Sequence, residues 1–149
     1  MKTIVALVDF SDATFKVLKQ AHVLAKAFDS HVIILHVVPK EPIVVDLGLV
    51  SPTMLRDPSP ELVREDQAML FELRDSLTKF GVNATAKQLT ESTVDSVLAE
   101  IEGLGAELII MGSHKHGALF NLLIGSLTDN VLKRVKTPVM LVPADAAEH

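Results

Sequence analysis

The residues with the most chemistry in them form one run, Gly112-Ser113-His114-Lys115-His116-Gly117, closed by Gly125-Ser126. Glycines let a ligand approach the main chain, while hydroxyl, imidazole and ammonium groups donate hydrogen bonds or carry positive charge. That set suits an anion, and phosphate above all. The run follows an apolar segment, 106–111, that reads as a buried strand, and precedes an amphipathic one, 127–135, that reads as a helix. Gly125 and Ser126 thus fall at a helix N-terminus, where free N–H groups and the positive end of the helix dipole point outward. A second polar run, Asp9-Phe10-Ser11-Asp12, follows the apolar stretch 3–8 and supplies a carboxylate that either contacts a ligand or caps the next helix.

The rest of the chain must bring these two runs together. Residues 3–8 and 31–38 are continuous β-rich apolar runs, as expected of strands buried on both faces. Between them Val17, Leu18, Ala21, Leu24, Ala25 and Phe28 recur at helical spacing, with Ser11 or Asp12 as N-cap and Lys16, Lys19 and Lys26 outside. Five prolines between 39 and 60 forbid a single regular element there, yet the segment is apolar enough to fold as a flap over the sheet's upper edge or against a partner subunit. Residues 61–80 read as a second helix with Leu62, Met69, Leu70, Leu73, Leu77 and Phe80 inward, ended by Gly81. Residues 82–89 alternate, as an edge strand does. Ser92-Thr93-Val94-Asp95 resembles a capping box for a third helix with Val94, Val97, Leu98 and Ile101 inward, closed by Gly103 and Gly105. Thr137-Pro138 stops the fourth helix, and Val139–Val142 is the last strand.

Strand and helix alternate, so the expected fold is α/β: a single Rossmann-like doubly wound domain over residues 1–149, with a five-stranded parallel sheet in order 3-2-1-4-5 and helices on both faces. The winding reverses beside the first strand. That puts Asp9 and the Gly112 run on one rim, where such sheets bind ligands.

Composition narrows the function. The 149 residues are 48% apolar and carry a net charge of −5, with no basic block, no Trp and no Tyr, which argues against a nucleic-acid groove. The absence of cysteine excludes disulfides, zinc–thiolate sites and thiol catalysis. The N-terminal apolar run is cut by Asp9 and is too short for a signal peptide or membrane span, so the expectation is a cytoplasmic protein away from membranes. His114 and His116 form an H-x-H pair, but no cysteine or nearby carboxylate completes a metal site, and they read as loop histidines beside phosphate or solvent. His36, at a strand end, reads as a hydrogen-bonded histidine at the core's edge.

Gly112 with Gly125-Ser126 is similar to the nucleotide-binding signature of the universal stress proteins, Gly-x-x-Gly-x9-Gly-Ser/Thr. The flanking Leu108-Ile109-Ile110-Met111, the start Ile4-Val5-Ala6-Leu7-Val8-Asp9-Phe10-Ser11, the strand end Leu35-His36-Val37 and the closing Thr137-Pro138-Val139-Met140-Leu141-Val142 extend the resemblance over nearly the whole chain. It implies a cytoplasmic stress-response module, commonly a homodimer, whose ATP-binding members hold adenine between the first two strands. Carried over by position, Leu7, Val8 and Met111 border the nucleotide, Asp9 lies near the ribose and the Val37 main chain contacts adenine. Gly112, His114, Lys115, Gly117, Gly125, Ser126 and the N–H of Leu127 surround the phosphates, with Mg²⁺ as a candidate bridge. The last strand, Val139–Val142, would pair with its symmetry mate, and an unidentified protein partner would read the state of the dimer. One departure stands out: the family's second glycine falls at Lys115. Where φ must be positive a lysine costs about 1 kcal/mol, which its charge on a phosphate offsets, and Gly117 restores backbone freedom.

Two other readings remain open: a nucleotide-free dimer acting only through contacts, made credible by Lys115, and a slow ATPase. Against a true enzyme, no phosphate loop or Walker lysine follows the first strand, and no base–nucleophile pair stands out. A phosphoacceptor receiver would need an aspartate at the end of the third strand, where Leu89-Thr90-Glu91 stands.

Overall fold

The computed structural model describes residues 1–44, 50–91, 93–112 and 134–143. The chain opens with β1 (Thr3–Val8), α1 (Ala13–Phe28) and β2 (His31–Val37). Then come β3 (Glu41–Val44), β4 (Val50–Arg56), α2 (Pro60–Lys79) and β5 (Asn83–Leu89). It closes with α3 (Val94–Gly103), β6 (Leu108–Gly112) and β7 (Val139–Val142). The main sheet runs β5-β2-β1-β6-β7 with every pair parallel, which is the expected order 3-2-1-4-5. β1 sits in the middle, and from Ile4 to Val8 it is almost wholly buried, as its unbroken apolar run requires.

Side chains alternate across that sheet and build two cores. Ile4, Ala6 and Val8 face Val17, Ala21 and Ala25 of α1 with Leu70 and Leu77 of α2. Val5 and Leu7 face Val97 and Ile101 of α3, with Val135 packed alongside. Helices therefore cover both faces. β5 holds one edge and shows the alternating exposure of a half-wet strand.

Caps set the helix starts. Ser59 accepts from the Leu62 N–H and Thr93 from the Ser96 N–H, each satisfying an otherwise free first-turn donor. Ser92 lies outside the described residues. At α1 the N-cap position is Asp12, which makes no capping bond with its side chain; Ser11 Oγ instead accepts from the Ala13 N–H.

Three expectations need correction. The segment 39–60 contains an antiparallel hairpin, β3 with β4, pairing Glu41 with Arg56 and Val44 with Val50. Pro42 and Pro52 fit because each strand of a two-stranded sheet is an edge, with one side free of hydrogen-bond obligations. Second, Phe28, Met69 and Phe80 point outward, at 54%, 42% and 68% exposure. The apolar stripes of α1 and α2 are wider than the strip the sheet covers. Third, His36 is buried, but its Nδ1 has no hydrogen-bond partner among the described residues.

Candidate functional site

The carboxyl ends of β1 and β6, neighbours in the sheet, form a small crevice, about 10 Å³ among the described residues, lined by Leu7, Asp9, Ala13, Thr14, Val17, Met111 and Gly112. This is the switch point, since the chain leaves β1 toward β2 on one side and β6 toward β7 on the other.

The β1–α1 turn shapes one wall. Asp9 Oδ1 accepts from the Ser11 N–H at 3.0 Å, an Asx-type bond that folds the turn on its own carboxylate. Phe10 then adopts φ 60°, the left-handed region, which costs a non-glycine residue about 1–2 kcal/mol. Two contacts hold it there: the Asp9 bond, and the Phe10 ring against His36 with centroids 4.2 Å apart. The turn so held places Asp9 at the cleft wall.

The chemistry of the described wall is specific. Asp9 is an acceptor, while Gly112 offers main chain without a side chain in the way. Thr14 is 4% exposed, yet its Oγ1 has no hydrogen-bond partner among the described residues. A buried hydroxyl left unpaired costs about 1–3 kcal/mol, so this one marks a polar demand inside the cleft. Thr14 carried no signal in the sequence, because a threonine in a first helical turn is ordinary.

Behind the turn lies a second polar cluster. His36 Nδ1 stands 3.9 Å from Asp66 Oδ2, and both side chains are buried. Burial lowers the His36 pKa to about 4, against a weaker upward pull from the Asp9 carboxylate. Burial also raises the Asp66 pKa, with Glu65 adding to it.

Of the residues singled out in the sequence, Leu7, Asp9, Met111 and Gly112 meet in the cleft. Val8 packs into the core under α1, and Val37 into the core under α3; neither lines the cleft. His114, Lys115, His116, Gly117, Gly125, Ser126 and Leu127 lie outside the described residues. Among the described residues no group of His, Cys, Asp and Glu could hold a metal ion, and no helix is long and apolar enough to cross a membrane.

Comparison with known proteins agrees with this architecture. The chain is 30% identical over 141 residues to universal stress protein MJ0531 of Methanocaldococcus jannaschii, covering 95% of this chain and 81% of that one. A solved universal stress protein in complex with cAMP superposes with TM-score 0.65 at 22% identity, over 95% of this chain and 96% of that one. One from Archaeoglobus fulgidus in complex with dAMP gives 0.62 at 18% identity, over 95% and 96%. The model of the universal stress protein family matches residues 1–143, and the chain belongs to that family.

Proposed function

We propose that this protein is a cytoplasmic regulatory module that binds an adenine nucleotide at the carboxyl edge of its sheet and works as a homodimer. The observation that carries the reading is the meeting of Asp9, Thr14 and Gly112 in one cleft at the switch point. The carboxylate repels phosphate and accepts from hydroxyls, so it suits the ribose side. Gly112 gives phosphate oxygens access to main-chain N–H groups, continued by Gly125, Ser126 and the N–H of Leu127. The Thr14 hydroxyl, unpaired among the described residues, gains a partner in the ligand. ATP with Mg²⁺ fits this division, and the cAMP and dAMP held by the two relatives favour an adenine ring. Lys115, with His114, would meet the charge of the outer phosphates. No step of bond cleavage is assigned to the site.

The dimer reading rests on β7. Among the described residues it is the sheet's other edge, paired on one side only, and Leu141 on it is 46% exposed. An edge strand with an open side is a template for pairing with a second copy.

Calorimetric titration with ATP, ADP, AMP and cAMP tests the nucleotide reading, with Gly125→Val as the comparison. Saturable binding weakened about tenfold or more by Gly125→Val is expected, as a side chain fills the phosphate approach. No binding to the wild type, or equal binding in the variant, overturns it.

A further inference from the structure

Five of the protein's six phenylalanines lie in the described residues, and none is in the buried core. Phe15 is 76% exposed, Phe80 68%, Phe28 54% and Phe71 37%. All four belong to α1, to α2 or to the residue that caps α2. Aromatic rings dominate burial energetics, and exposed apolar residues signal an interaction surface where they join into one patch.

Two of these rings frame a groove between α1 and α2. Its floor is Leu18, Leu73 and Leu77, and Phe15 and Phe80 stand at its ends. The His22 ring meets Phe80 edge-on, centroids 5.9 Å apart, and buttresses it. Both helices run back against the parallel strands, so they are parallel to each other. The groove follows α1 from Phe15 to His22 and α2 from Leu73 to Phe80. Seven residues of helical rise give a length of about 10 Å, the distance between positions i and i+7 of an occupying helix.

Charge selects the occupant. The protein is acidic overall, with net charge −5, yet α1 holds Lys16, Lys19 and Lys26 and no acidic residue. Lys19 lines the groove, and Lys26 Nζ lies by Gly81 beside the Phe80 end. Neither lysine joins an ion pair among the described residues. A second copy laid α1 on α1 would oppose the lysines. A bilayer is flat and would leave the groove floor unfilled.

We propose that the α1–α2 groove docks an acidic amphipathic helix of a protein partner, with apolar anchors at i, i+3 or i+4 and i+7 and Asp or Glu along the flank that meets α1. The groove is separate from the nucleotide cleft, but they share a helical turn: Thr14 lines the cleft and Phe15 the groove.

The test is selection from a displayed random library of peptides about fifteen residues long, panned on the intact protein. Amphipathic, acidic sequences are expected to enrich. A synthetic copy should bind the wild type, lose about tenfold in affinity in Phe15→Ser/Phe80→Ser, and lose about threefold or more in Lys19→Glu. Both changes sit at exposed positions, and circular dichroism checks that each variant is folded. Four results overturn the proposal: no enrichment; enriched peptides without acidic residues; binding unchanged in the variants; or a groove occupied otherwise. The last would appear as self-association abolished by Phe15→Ser/Phe80→Ser in sedimentation, or as binding to vesicles of anionic lipid lost in the same variant.

Discussion

His36 Nδ1 faces Asp66 Oδ2 across 3.9 Å of buried space, and the two are not an ion pair at neutral pH. Burial holds the imidazole neutral by lowering its pKa from 6.5 to about 4. It pushes the Asp66 carboxyl the other way, toward its neutral form.

The pH dependence follows from these directions. The unfolded chain binds a proton on this histidine below its ordinary value of 6.5, while the folded chain resists until about 4. Stability contributed by neutral His36 is present above pH 6.5 and is lost as pH falls toward 4, with no further loss below. The shift corresponds to an upper limit of about 3 kcal/mol. Asp66 works against it, since its raised pKa lets the folded state take up a proton first as pH falls. Urea unfolding midpoints across that interval should fall for the wild type and fall less for His36→Leu.

Thr14→Val should separate stability from binding. The substitution keeps the shape and removes a hydroxyl that is buried and unpartnered among the described residues. Without ligand, the variant should gain about 1 kcal/mol, seen as a melting temperature raised by about 2–4 °C. Nucleotide affinity should fall about fivefold, the worth of one hydrogen bond. An unchanged affinity would mean that the hydroxyl meets nothing in the complex.

Asp9 carries two roles that different substitutions divide. Asp9→Asn keeps an oxygen for the Ser11 N–H and should leave stability nearly unchanged. Asp9→Ala loses that acceptor and should cost about 1 kcal/mol, because nothing then pins Phe10 in its left-handed conformation from that side. Nucleotide binding should weaken in both, and about tenfold in Asp9→Ala, read by calorimetry beside thermal melts.

Gly81 shows which of two costs matters at the end of α2. Its φ is +82°, and an added Cβ would stand 2.6 Å from Lys26 Nζ. The ammonium ends a flexible side chain and can swing away, whereas the backbone cannot relax. Gly81→Ala should therefore cost about 1–2 kcal/mol, and the same amount in a Lys26→Ala background. Chemical denaturation of the four proteins completes the cycle.

The sheet was legible because its central strands are unbroken apolar runs, which only burial on both faces explains, and because 82–89 alternates. The meeting of Asp9 with Gly112 was legible too, once the winding placed their strands side by side. What escaped depends on neighbours far away in sequence. Pro42 and Pro52 read as strand breakers until the hairpin is seen to be all edge. The spacing of Phe28, Met69 and Phe80 reveals an apolar helical face but not whether anything covers it. His36 shows its place at a strand end, but not that burial leaves Nδ1 unpaired among the described residues. Thr14 becomes notable only when the walls around its hydroxyl are known.

The parallel order has a consequence for turnover of the protein. Asp9 and Gly112 belong to opposite ends of the chain and meet only because β1 lies beside β6. A small molecule gripped between them would act as a buckle, holding nothing once the sheet has melted. Saturating it would slow digestion of the entire chain by proteases, so the protein's abundance would track the supply of that molecule.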